Sequence, residues 1–110
     1  MGEITIPLST PLDIGGGETL SAVVLREPRM RELLEYGQPY RPFMVGGVIQ
    51  IVEDDAAIKA YIERLLTKPD MKALLGNLTL ADGLAVRKAF LDFFEMSAGS
   101  ARGRDKTSSP

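Results

Sequence analysis

Cysteine, histidine and tryptophan are all absent from this sequence of 110 residues. Without cysteine no disulfide can form, and nothing points to an oxidising compartment. Without cysteine or histidine a structural zinc site loses its usual ligands. No remaining side chain titrates near neutral pH in its unperturbed state, so general acid–base work needs a strongly shifted carboxylate or lysine. A Ser–His or Cys–His nucleophile is excluded outright. Long apolar runs are also missing, and none approaches the ~20 residues of a membrane span. The opening Met1-Gly2-Glu3 does not read as a signal peptide, and Ile6 stands where a myristoylation motif needs Ser or Thr. These absences suggest a cytoplasmic, non-catalytic chain with no cofactor.

The residues present are those of an ordinary globular domain, with 45% hydrophobic and 25% charged. The formal charge is -2, unevenly spread. Arg102, Arg104 and Lys106 against Asp105 give the segment after Met96 a charge of +2, which leaves -4 on the residues before it. An acidic body argues against duplex nucleic acid as the main partner. The length fits one domain, expected over residues 1–96. Residues 97–110 lack apolar periodicity and read as a disordered tail.

Ile4, Ile6 and Leu8 alternate with Thr5 and Pro7, the period of a strand. A turn is expected over Leu12–Gly17, with Thr19–Arg26 returning as the second strand of a hairpin. Pro28 suits the first position of a short helix carrying Met30, Leu33 and Leu34, and Gly37 suits its stop. Gln38–Pro42 reads as loop. Phe43–Val52 is apolar around Gly46-Gly47, the pattern of a second hairpin. Ile58, Tyr61, Ile62, Leu65 and Leu66 line one face of a helix that Pro69 ends. Asp70–Leu75 reads as a helical turn or two closed by Gly76. Thr79 and Asp82 resemble a capping box at the start of the last helix. The predicted fold is α+β: an N-terminal antiparallel hairpin, a short helix, a second hairpin and two to three C-terminal helices. All strands are expected in one sheet, with the helices on one face.

Gly15-Gly16-Gly17 lacks the Gly-Lys-Ser/Thr of a phosphate loop and is followed by a strand, so it reads as a hairpin turn. Glu53-Asp54-Asp55 offers oxygen ligands, but helix capping explains it more simply. Glu32 and Glu35 sit near Arg29 and Arg31 and suggest a solvated helix face of mixed charge. On the last helix, Leu80, Leu84, Val86, Phe90, Leu91, Phe93 and Phe94 cover about half the circumference, with Arg87 inside that arc. Aromatic residues at helical spacing are usually core. The breadth of the arc, and an arginine within it, raise an interface as the alternative. The candidate partner-binding set is therefore Leu84, Arg87, Phe90, Phe93 and Phe94, with Tyr61 and Leu65 on the preceding helix. Phe94 lies nearer the Leu80–Leu91 stripe, so Phe94→Ser is expected to damage folding more than Phe93→Ser.

Three segments, in this order, carry a family resemblance. The first is I-x-I-P-L-S-T-P-L, from Ile4, with V-V-L-R-E-P-R at Val23–Arg29. The second is Y-G-Q-P-Y at Tyr36–Tyr40, with A-Y-I-E-R-L-L at Ala60–Leu66. The third is the stretch from Leu75 to Phe94, with L-T-L-A-D-G-L-A-V-R-K-A-F-L-D-F-F at its end. Together they resemble the tail assembly chaperones of Mu-like and P2-like contractile-tailed phages, known as tail protein E or 41, over about residues 3–95. The resemblance implies a chaperone that binds the tape measure protein in the host cytoplasm during assembly and is missing from the mature virion. The tail tube protein is a second candidate partner, and a homo-oligomer is left open. No catalytic residues come with the family. The alternative is a small structural tail protein retained in the virion. An enzyme would need a buried, shifted carboxylate in a concave pocket.

Overall fold

The computed structural model describes the backbone of residues 2–108 and the side chains of residues 2–99. Two long strands open the chain, β1 (Glu3–Gly15) and β2 (Glu18–Arg26). They pair antiparallel, with Ile4 opposite Leu25 and Ile6 opposite Val23. Alternation puts Ile6, Val23 and Leu25 on the buried face and leaves Thr5 and Pro7 outside. β1 runs further than its alternating residues suggested, reaching Gly15, because Leu12 and Asp13 resume pairing with Leu20 and Thr19. Only the Gly16-Gly17 pair turns. Between Pro7 and Leu12 the register shifts, and the strand bulges at Ser9–Pro11.

The short helix α1 (Met30–Tyr36) starts two residues later than Pro28 suggested, with Arg29 as its cap. Gly37 closes it with a φ of 77°, and its N–H donates to the Leu33 carbonyl. β3 (Tyr40–Val45) and β4 (Val48–Glu53) form the second hairpin about Gly46-Gly47. Both glycines have positive φ, 56° and 80°, as a two-residue turn of this hand requires. α2 (Asp55–Leu65) follows, capped by Asp54, whose carboxylate accepts from the Ala57 N–H at 3.1 Å.

Two expectations require correction. The helix does not continue to Pro69. It ends at Leu65, and Leu66–Lys68 becomes a third strand, β5, paired with β2. Thr67 is β-branched and Lys68 precedes a proline, which disfavours helix at both. The open edge of β2 supplies hydrogen bonds instead, and the Thr67 hydroxyl donates to the Val24 carbonyl. Nor do the strands share one sheet. β1-β2-β5 is one sheet and β3-β4 is another. Both hairpins are present as expected; they are not joined.

A 3-10 helix at Lys72–Asn77 leads into α3 (Leu80–Ser108). The disordered tail expected over 97–110 falls largely on residues whose side chains lie outside the described ones. Ile6, Val23, Leu25, Ile58, Tyr61, Leu65, Val86 and Phe90 make the core, so α2 and α3 cover one face of the β1-β2 hairpin. Among the described residues no helix is long and apolar enough to cross a membrane.

Candidate interaction surface

Two buried carboxylates fix the frame. Glu32, expected on a solvated helix face, has no exposed surface. Its Oε1 and Oε2 accept from the Arg26 guanidinium at 3.3 and 3.2 Å, and Oε1 also accepts from the Arg29 N–H at 2.8 Å. Arg31 and Arg64 approach within 3.3 and 3.7 Å. The Arg26 hydrogen bonds hold this carboxyl below the usual carboxylate range, and they outweigh burial, which acts in the opposite sense. A carboxylate is buried only when paired in this way.

Asp82 is the second. Its N–H donates to the Thr79 hydroxyl, one half of the expected capping box. The other half is diverted: the Asp82 carboxylate accepts from the Ser9 N–H, the Ser9 hydroxyl and the Thr10 N–H, at 2.9, 2.8 and 3.1 Å. Those backbone donors are the ones freed by the β1 bulge. The Ser9 backbone hydrogen bond is the main cause of a lowered pKa here as well.

The aromatic arc is divided between two neighbours inside the chain. Phe93 is 1% exposed and lines a cleft with Ile4, Ile6 and Pro7 of β1. Phe90 and Phe94 turn the other way, with ring centroids 5.4 and 5.5 Å from that of Tyr61. Phe94 also meets Tyr40 edge-on at 6.0 Å. Tyr61 is fully buried, donates its hydroxyl to the Gly37 carbonyl at 2.8 Å, and has its pKa pushed up to about 12, mainly by burial. Serving two neighbours explains the breadth of the arc. Of the candidate partner-binding set, Tyr61, Leu65, Phe90 and Phe93 lie in the core, and Phe94 is half-buried. Arg87 donates to Glu53 and Asp55, both at 2.6 Å, which binds α3 to the base of the second hairpin. These partners raise its pKa further. Leu84 alone of the set is well exposed, at 55%.

The exposed apolar surface lies elsewhere, and its largest part was not singled out from the sequence. Phe43, Met44, Val45, Val48, Ile49, Ile51 and Val52 are all between 46% and 69% exposed. They occupy both faces of the β3–β4 hairpin: Met44, Ile49 and Ile51 on one, Phe43, Val45, Val48 and Val52 on the other. Ile51 overhangs a cleft floored by Lys88, Leu91 and Asp92 of α3. Smaller exposed pairs are Leu80 with Leu84 on α3 and Met30 with Leu34 on α1, each at i,i+4. Met30 borders an open groove of about 590 Å³ with Leu33, Phe94 and Ala98. A signal for this surface was present in the sequence: the apolar runs on both sides of the two-residue turn lack the alternation that would leave one polar face for solvent.

Neither Glu32 nor Asp82 lines the groove beside α1 or the groove between α2 and α3. Both are held ionised, and their oxygens are taken by hydrogen bonds. Among the described residues no cluster of acidic side chains has the arrangement of a metal site. Comparisons with protein-family models, with curated proteins and with solved structures found no match.

Proposed function

We propose that this chain is a non-catalytic phage tail assembly chaperone that holds the tape measure protein during tail construction in the host cytoplasm. The carrying observation is apolar surface left over after the core is complete: the two-faced β3–β4 hairpin, with Leu80 and Leu84 on α3. Exposed apolar patches are a mark of binding sites in soluble proteins. A tape measure protein is long and helical, and its apolar helix faces associate in water unless covered. The order of the three sequence segments from Ile4 to Phe94 supports the same reading. So does the chemistry of the two buried carboxylates, which are committed to arginine and to backbone amides and have no proton to exchange near neutral pH.

Leu84 remains from the sequence-derived partner set as a direct contact, and Arg87 positions the hairpin. Co-expression with the tape measure protein is expected to raise that protein's soluble fraction, and the two are expected to co-purify. Failure of a tagged chain to retain the tape measure protein in a pull-down would overturn the proposal. Recovery of the chain in purified particles would favour a structural tail subunit instead.

A further inference from the structure

The two outer edges of the β3–β4 hairpin differ in kind. Val45 and Val48 flank a two-residue turn, so they form the first hydrogen-bonded pair, and such pairs alternate along the ladder. The inward-facing N–H and C=O groups are therefore those of Val48, Gln50 and Val52 on β4 and of Arg41, Phe43 and Val45 on β3. The outward groups on β3 include those of Pro42 and Met44. Pro42 has no N–H, so the β3 edge is blunted in the way natural edge strands are. The outward groups on β4 are those of Ile49 and Ile51. No proline, charge or bulge interrupts Val48–Val52, and no other strand among the described residues pairs with it.

That open edge reads V-I-Q-I-V, a palindrome about Gln50. An antiparallel partner of the same sequence, placed on a two-fold axis through Gln50, brings every side chain opposite its own kind. Val48 meets Val52 of the second copy, Ile49 meets Ile51, and Gln50 meets Gln50. The hydrogen-bonding parity agrees with this register. Each Ile49 exchanges its outward N–H and C=O with Ile51 of the second copy, and the two Gln50 residues become a close pair without backbone bonds. Their side-chain amides are each donor and acceptor, so they can bond to each other. The faces agree as well, because opposite residues in an antiparallel pair share a face. At roughly 100 Å² for each half-exposed side chain, the hairpin shows on the order of 300 Å² of apolar surface on one face and 400 Å² on the other, each as large as the largest patch of an ordinary monomer. An isolated two-stranded hairpin is also marginal in water, and further strands stabilise it.

We propose that the open edge of β4 pairs with β4 of a second copy about a two-fold axis at Gln50, joining two hairpins into one four-stranded antiparallel sheet. The interface is isologous and closed, which limits assembly to a dimer. It stands independently of the chaperone reading, since it uses no residue of a client and its mass measurement needs no second protein.

The test is a charge exchange at the axis, read by the mass of the full chain in solution over a dilution series. The wild type is expected to reach twice the 12.0 kDa of one chain. Gln50→Glu and Gln50→Lys each set like charges directly opposite one another, and each is expected to halve the observed mass. An equimolar mixture of the two variants is expected to restore the two-chain mass. Gln50 is exposed, so both variants are expected to keep the wild-type circular dichroism spectrum. A wild type that stays at one chain at every concentration would overturn the proposal. So would dimeric single variants, or a mixture that remains monomeric. If the Ile49 and Ile51 amides become protected from exchange only when tape measure protein is added, the edge belongs to the client and not to a second copy.

Discussion

At the scale of single residues, the two buried carboxylates make stability depend on pH. The folded-state pKa values of Glu32 and Asp82 both lie below their ordinary ones. Their contribution is therefore complete above the unfolded carboxylate range, about pH 4, and is lost as pH falls through the folded values. The melting temperature is expected to fall on acidification below about pH 4. Glu32→Gln should flatten part of that fall and, at neutral pH, cost on the order of 2 kcal/mol in urea unfolding, because Arg26 loses a charged acceptor. A variant as stable as the wild type would show that the arginine cluster does not depend on Glu32. Phe93 and Phe94 reverse the order expected from the helical wheel. Phe93 is sealed against β1, whereas Phe94 is half-buried. Phe93→Ser is now expected to be the more damaging, in the range of about 3–5 kcal/mol for emptying an aromatic core site. Equal unfolding midpoints for the two variants would refute this. The wheel grouped Val86, Phe90 and Phe93, all buried, with Leu80 and Leu84, which are exposed. It lacked the fact that α3 has two neighbours, so distance from one stripe did not measure burial. Glu32 was illegible for a related reason: Arg26 and Arg64 reach it from β2 and α2, and only the folded topology brings them together.

At the scale of elements, local chemistry was enough where an element carries its own signals. Gly46-Gly47 with apolar flanks, Asp54 ahead of α2, and Gly37 after α1 each act within a few residues. Asp54→Ala is expected to cost about 1 kcal/mol by removing the acceptor for the Ala57 N–H, measurable by thermal or urea unfolding. β5 had no such signal. A strand of three residues exists because β2 offers an edge, and Leu66 belongs to the helical pattern as readily as to the strand. The separation of the two sheets was equally hidden, since strand sequences do not state which other strands they adjoin. The second hairpin is consequently a module. Replacing Arg41–Val52 by a short Gly-Ser link is expected to leave the melting temperature of the core within about 1 kcal/mol equivalent, because none of those residues belongs to the core cluster. A collapse of the helical signal in that variant would show that the hairpin supports the core.

At the scale of the whole molecule, the radius of gyration is 16.0 Å, against about 13 Å for a compact chain of this length. The core and the exposed apolar surface occupy different parts of the chain, which suits a protein that must stay folded while presenting a sticky element. It also separates two kinds of mutational damage. Core changes such as Phe93→Ser are expected to act on folding, and hairpin changes on the proposed association. The Asp82 clasp on Ser9 and Thr10 joins positions more than 70 residues apart. At about 5–20 residues per second, Asp82 leaves the synthesis machinery several seconds after Ser9. Through that interval the bulge of β1 keeps its amides for water, and Ile6 waits for Val86 and Phe90 before its pocket closes. The first strand to be made is therefore among the last to be secured, and a nascent chain stalled before Asp82 should be cut by protease within β1, where the finished protein resists.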